Sequence, residues 1–308
     1  MEQRSLTLTG RHQLEWRTKN IPPLMEDEIL IKTIAGAVSI GAELPQYNES
    51  DRTDVEPTYP SETGYESYGE VIKIGKDVSS SKVGDRVVAF YGHKDYGVVK
   101  AKKAIRVPRE ISYPFALLSI LSCDAAKGVL KLQPKKTDRV LVTGMGTMGL
   151  LTVYFLKNYM EVKHVDVIDL DKKRCEYATM FGISNFYTNQ AECPQNFYEC
   201  GLECSSSNEA FRTLQKSIRV NGEICILSDG NRDSLNLQAD FFKKELKIIG
   251  SSDGWDYQEH ANWHFSNVEK VPHIEQIFQH QISHQELINC FEELSKKVIN
   301  PLKVLVKY

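Results

Sequence analysis

Up to about residue 110, apolar positions come in short runs that alternate with polar ones, at Ile29–Ile31, Gly69–Ile74, Val87–Phe90 and Val98–Val99. A period near two with little helical spacing predicts a β-barrel-like domain, punctuated by turns at Pro22-Pro23, Gly84-Asp85 and Gly92. From Tyr113 the spacing lengthens: Phe115, Leu117, Leu118, Ile120 and Leu121 fit a helix. Strand and helix then alternate through Gly250. Val140–Val142, Val165–Ile168, Gly201–Cys204, Gly222–Leu227 and Leu246–Gly250 read as parallel strands, and Lys172–Phe181 and Asn208–Ile218 as helices between them. A helix over Gln285–Lys296 and a strand over Leu302–Lys307 have no place in that set, and such a strand can return to the sheet of the first domain. The expected organisation is therefore a discontinuous first domain, residues 1–123 and 251–308, around an α/β domain of residues 124–250.

The join between the first parallel strand and its helix carries the chemistry. Val140–Val142 runs into Gly144-x-Gly146-x-x-Gly149, and a helix follows through Asn158. Gly144 permits a tight turn, Gly146 lets the backbone approach a pyrophosphate, and Gly149 lets the helix pack on the strand. Gly144, Gly146, Thr147, Met148 and Gly149 thus form a candidate dinucleotide cradle at a helix N-terminus, where free N–H groups and the positive dipole end favour phosphate. Asp169 ends the next strand 20 residues beyond Gly149, where a carboxylate would accept hydrogen bonds from both hydroxyls of an adenosine ribose. A carboxylate there opposes a 2′-phosphate, so NAD is expected; Lys172, Lys173 and Arg174 follow it and would admit NADP if they bend inward. Cys204, Ser205, Ser206, Leu227, Ser228, Asp229 and Ser251 stand at strand C-terminal ends, where open α/β sheets bind their ligands.

Composition narrows the class. With 41% hydrophobic and 26% charged residues, the chain of 308 residues is globular and long enough for two cores. A net charge of −3 and no lysine run longer than a pair disfavour nucleic acid and anionic membranes as partners. The first residues hold no apolar signal region and no stretch is apolar enough to span a bilayer, so a cytoplasmic location is expected. Seven cysteines without a C-x-x-C pair are expected as reduced thiols, and Cys193, Cys200 and Cys204 lack nearby histidines to complete a metal site. His260 and His264 share a helical face without a third ligand, which reads as a solvated pair; His280 and His284 read as surface residues at the start of the last helix. The stretches Asn48–Thr58 and Asp253–Asn267 are expected as loops shaping a substrate pocket, with Tyr47, Trp255, Tyr257, Trp263 and Phe265 as aromatic content.

Several motifs in order carry a resemblance. Gly64-Tyr65-Glu66, Gly69-x-Val71-x-x-Ile74-Gly75, Val83-Gly84-Asp85-Arg86-Val87, the glycine turn and Lys244–Ser251 together resemble the medium-chain dehydrogenase/reductase superfamily over essentially the whole chain. The resemblance implies a GroES-like β-barrel domain plus a Rossmann doubly wound parallel sheet, hydride transfer to or from a nicotinamide, a small-molecule substrate and a homo-oligomer, a dimer. Val38–Glu43 with Gly64-Tyr65-Glu66 resembles the branch of the bacteriochlorophyllide-type hydroxyethyl dehydrogenases, which bear S-x-G-T-E and G-Y-E in place of zinc motifs; here Ala42 replaces the threonine.

In zinc-dependent members of that superfamily, the first cysteine ligand falls on Ile40 and the histidine on Tyr65, while Cys123 matches the third thiolate and Glu66 the adjoining acid. Two ligands without an imidazole make a poor site, and Arg86–Val107 contains no cysteine for a structural zinc, so no zinc is expected. A hydrogen-bond donor must then polarise the substrate oxygen. Tyr65 is the candidate, as donor or as a plug filling the former metal position; Glu66 would orient it or relay protons, Tyr47 is a second phenol expected near the same cleft, and Lys127 would lower a phenol's pKa or lie on the surface. These residues suggest a zinc-independent NAD(H)-dependent oxidoreductase interconverting an alcohol and a carbonyl compound. An enone or quinone reductase and a non-catalytic dinucleotide-binding protein are the alternatives.

Overall fold

A computed structural model describes all 308 residues, Met1–Tyr308. They form two compact units, Met1–Ile120 with Tyr257–Tyr308, and Leu121–Asp256.

The N-terminal stretch of the first unit is β1 (Glu2–Gly10), β2 (Gln13–Asn20), β3 (Glu28–Val38), α1 (Ile40–Tyr47), β4 (Ser61–Glu62), β5 (Glu66–Ile74), β6 (Arg86–Ala89), β7 (Tyr96–Lys100), β8 (Ile105–Val107) and α2 (Tyr113–Leu117). The second unit takes in all but the first two residues of α3 (Ser119–Leu132), and then β9 (Arg139–Thr143), α4 (Thr147–Asn158), β10 (His164–Ile168), α5 (Lys172–Thr179), β11 (Asn185–Tyr187), β12 (Tyr198–Glu203), α6 (Asn208–Ser217), β13 (Ile218–Ile226), α7 (Ala239–Lys243) and β14 (Lys247–Gly250). The chain then returns to the first unit with α8 (Tyr257–Ser266), β15 (Phe278–Ser283), α9 (Leu287–Ser295) and β16 (Lys303–Lys307).

In the second unit the strands are parallel in the order β11-β10-β9-β12-β13-β14. Their near-continuous apolar runs follow from burial on both faces by flanking helices. The order reverses beside β9, which is the switch point where such sheets bind ligands.

The first unit is antiparallel in the main. A sheet of order β15-β16-β3-β5-β6-β8, with β7 also on β3, lies beside a smaller sheet β2-β1-β4. The long β3 is buried along most of its length and carries Ile29 and Ile31 into a core with Val71, Val87 and Ala89. The C-terminal β16 pairs antiparallel with β3, Val304 opposite Val38 and Val306 opposite Gly36. No helix is long and apolar enough to cross a membrane.

Four expectations are corrected. The helix through Phe115–Leu121 is two helices, α2 and α3, separated at Leu118. The stretch before residue 110 contains α1, whose buried positions are Glu43 and Tyr47 and which has Pro45 inside it, so it shows no ordinary apolar stripe. His280 lies in strand β15, because the capping box of Ser283 and Glu286 starts the following helical turn only after it. Finally, Asp253–Asn267 is not a loop: it includes α8.

The fourth correction changes the reading of His260 and His264. The rings lie 6.4 Å apart on one face of α8, yet His264 is fully buried, stacks on Phe115 at 4.2 Å and bonds through Nε2 to the Phe115 carbonyl at 3.1 Å. A carbonyl only accepts, so Nε2 carries the proton. Burial pushes the pKa of His264 down to about 4 and that of His260 to about 3. Below the ordinary value of 6.5 the unfolded chain takes up protons that the folded one refuses. Stability is therefore present above pH 6.5 and lost as the pH falls toward 4, by on the order of 3 kcal/mol for His264 alone. His264→Gln should flatten that slope in urea titrations across the window; an unchanged slope would contradict the assignment.

Candidate active site

The glycine turn of the second unit is built by sterics. Gly144 has φ +82°, and a Cβ there would stand 2.7 Å from the Ser205 Cβ. A Cβ on Gly149 would stand 1.8 Å from the Gly144 carbonyl oxygen, so only glycine allows α4 to start this close to β9. Gly146 differs: a Cβ there meets nothing nearer than the Arg174 Nη1, at 4.0 Å. That space is where a pyrophosphate would approach the backbone. Gly146 is the N-cap of α4 and has no side chain to cap it, which sets the positive end of the helix dipole at this turn.

Asp169 braces the turn. Its Oδ2 accepts the Met145 N–H at 2.7 Å and its Oδ1 accepts the Asp171 N–H at 2.8 Å. Each oxygen keeps a second lone pair for a ribose hydroxyl. Among the three basic residues that follow, Lys173 is exposed without an ion pair, whereas Arg174 lies over the glycine turn with Nε 3.8 Å from Asp171.

At the C-terminal ends of β12 and β13 the organising group is Glu203, which sequence reasoning missed. Its carboxylate is fully buried, and it accepts the Ser205 N–H at 2.7 Å, the Ser206 N–H at 3.2 Å and the hydroxyls of Ser205 and Ser228. The run Tyr198–Glu203 holds two acids, Glu199 and Glu203, and nothing in the sequence marks the second as the organising one. Leu227 is buried against Gly128, so it offers a ligand its backbone. Cys204 turns its thiol toward the Thr152 hydroxyl at 3.6 Å, and burial raises that thiol well above its ordinary pKa. The Ser251 hydroxyl is buried and has no partner in the chain, a donor that a bound ribose or nicotinamide amide would satisfy. These groups fit a dinucleotide.

In the first unit Tyr65 precedes β5, half-buried. Its hydroxyl donates to Ser39 Oγ at 2.6 Å and its ring stacks on Phe90 at 6.5 Å. The Ser39 N–H donates to Glu43 Oε1 at 2.7 Å, and Glu43 Oε2 pairs with His93 Nε2 at 2.9 Å; both of these side chains are buried. The Glu66 side chain goes elsewhere. It pairs with Lys303 at 2.6 Å, both fully buried, and no hydrogen bond joins it to Tyr65. Successive residues entering a strand face opposite ways, which explains the separation. Burial pushes the Glu66 carboxyl up, and Lys303 partly offsets this.

Tyr47 is a core residue, packed on Phe291 at 5.5 Å with its hydroxyl directed to the His12 carbonyl, so the structure does not bring it to Tyr65. In the second unit Lys127 bonds to the Ser252 carbonyl at 2.7 Å, and Cys123 donates to the Asp256 carbonyl, with its thiol pushed up to about 12 by burial.

The superfamily's zinc ligands do not fit these residues. No group of three or more His, Cys, Asp and Glu side chains stands together to hold an ion. Glu66, the acid beside Tyr65, faces an ammonium that would repel a divalent cation.

Residues 25–109 match the alcohol dehydrogenase GroES-like domain family. The L-threonine 3-dehydrogenase of Coxiella burnetii is 26% identical over 241 residues, 65% of this chain and 69% of that protein. Among solved structures, 2R,3R-butanediol dehydrogenase from Bacillus subtilis superposes with a TM-score of 0.82 at 20% identity, covering 99% of each chain. An Escherichia coli alcohol dehydrogenase complexed with NADH gives 0.82 at 21% identity over 100% of this chain and 99% of that one. The solved structures share the fold of this chain, a GroES-like unit with a Rossmann sheet, and the matched family and the similar proteins are dehydrogenases.

Proposed function

We propose a zinc-independent, NAD(H)-dependent oxidoreductase that interconverts an alcohol and a carbonyl compound, of the branch bearing G-Y-E where zinc enzymes bear a histidine. The observation that supports it best is the Tyr65 phenol, at the position of the missing imidazole, hydrogen-bonded to Ser39 Oγ at 2.6 Å. Bound nicotinamide dinucleotide would supply or accept the hydride. The glycine turn, Asp169, Ser205, Ser228 and Ser251 hold it in this reading, and Arg174 adds charge near the pyrophosphate.

In the reducing direction Tyr65 gives its proton to the oxygen of the carbonyl as that oxygen becomes an alkoxide. Both hydroxyls of the Tyr65–Ser39 pair can rotate, so Ser39 then donates to the Tyr65 oxygen and stabilises the phenolate until solvent returns a proton. In oxidation the same proton travels the other way. Glu43 holds Ser39 through its backbone N–H, so it acts as a positioning residue. Lys127, with its ammonium on the Ser252 carbonyl, is left to structure. We further propose that the enzyme works as a homodimer in the cytoplasm.

Calorimetry should show NADH binding more tightly than NADPH, and Asp169→Ala should reduce or reverse the preference, since a charge-assisted hydrogen bond is worth about 1.5–3 kcal/mol. Tighter NADPH binding to the natural protein would refute the cofactor assignment and give Arg174 the discriminating role. A panel of alcohols, aldehydes and enones followed at the nicotinamide absorbance finds the reaction; turnover of enones alone would replace the alcohol reading with a double-bond reductase.

A further inference from the structure

A cavity of about 610 Å³ opens on the first unit between the Ser79–Arg86 segment, the end of β8 and α8. Lys82, Arg86, Arg106 and Arg109 line it against one carboxylate, Asp85, whose Oδ2 already accepts the Lys82 N–H at 2.9 Å. Lys82, Arg106 and Arg109 are exposed and form no ion pair. Arg86 commits Nη2 to Glu70 at 2.9 Å, while its Nη1 is buried and has no acceptor. Ser81 also lines the cavity, 8% exposed, and its buried Oγ has no partner either.

An unmatched buried donor costs about 1–3 kcal/mol, and two of them in the wall of one cationic cavity require an explanation. The chain offers no acceptor. Of the two α8 side chains in the wall, Gln258 spends its oxygen on the Arg106 N–H at 2.8 Å and Asn262 spends its own on the Gln258 amide at 2.9 Å. An anion from solution would satisfy both donors, and the chemistry selects its kind. A hydroxyl and a guanidinium edge in the wall of one cavity, with further cations lining it, suit the several oxygens of a phosphate dianion better than a single carboxylate. The volume falls in the range of small-molecule sites and exceeds what one phosphate group fills, and a serine-rich wall favours a hydroxylated carrier.

We propose that this cavity binds a small soluble phosphomonoester, with the phosphate on Ser81 Oγ and Arg86 Nη1 and its charge balanced by Arg106 and Arg109. Its residues belong to the first unit alone and include none of those assigned to the dinucleotide or to Tyr65, so the ligand is a second one, suited to an effector.

Ribose 5-phosphate, inorganic phosphate and ribose serve as calorimetric probes with saturating NADH present, which keeps the phosphate-binding glycine turn occupied. Vesicles bearing a phosphoinositide test a lipid source of the same group. Ribose 5-phosphate should bind, inorganic phosphate more weakly, and ribose not at all. Arg106→Gln with Arg109→Gln should weaken the ester at least ten-fold, and Ser81→Ala should weaken it too, while NADH affinity stays unchanged. None of the three side chains holds the fold together, so these variants should fold normally. Absence of ester binding, equal binding of inorganic phosphate, indifference to the variants, or binding to vesicles alone would overturn the proposal.

Discussion

Lys303→Met should lower the stability of the protein by about 3–5 kcal/mol, the usual cost of removing one partner from a buried ion pair. Lys303 and Glu66 join β16 to the start of β5 at 2.6 Å, with neither side chain reaching solvent. Without the ammonium, the carboxyl is left with its burial and with the neighbouring Glu43 charge, both of which raise its pKa. It would fold as the neutral acid. A carboxyl whose folded pKa is raised contributes stability that is fully present below the unfolded value of 4.5 and lost as the pH rises through the folded one. The variant should accordingly weaken more steeply than the natural protein as the pH rises from 5 to 8, because the offset from Lys303 is gone, as read by urea midpoints. Glu66→Leu with Lys303→Met should recover most of the loss, because two apolar side chains replace the pair. A single variant as stable as the natural protein would show that the pair is not buried as described.

The fold class was legible because its evidence is local. Valine, leucine and isoleucine runs mark β9, β10 and β13, and Gly149 is fixed by a contact within a few residues, having no room for a Cβ against Gly144. Helix α1 was not legible, since a helix that buries a glutamate and contains a proline shows no apolar stripe. His260 and His264 share a face at any helical spacing, and which face packs is decided by Phe115, 149 residues from His264.

The candidate site was legible in kind but not in connection. The glycine turn and Asp169 could be named from spacing, yet Asp169 braces the Met145 N–H as well. Tyr65 could be named, but its partner Ser39 stands 26 residues away, and Glu66 finds Lys303 at a separation of 237. Glu203 was hidden because a second glutamate at the end of a strand that already carries Glu199 has no mark of its own until the four groups it accepts are seen.

The second large effect falls on catalysis. Tyr65→Phe removes one hydroxyl and keeps the ring on Phe90, so fold and NADH affinity should be unchanged. Turnover should fall by ~10²-fold, the order seen when one oxyanion-stabilising donor is removed. Ser39→Ala should cause a smaller loss and shift the pH profile, because Ser39 acts through the phenol. The most direct test of the account is nicotinamide-linked turnover of the natural enzyme and Tyr65→Phe, side by side in chelator-treated, metal-free buffer. The account predicts full activity of the natural enzyme and a hundred-fold deficit in the variant. Equal rates, or a natural enzyme that is inert until zinc is restored, would contradict it.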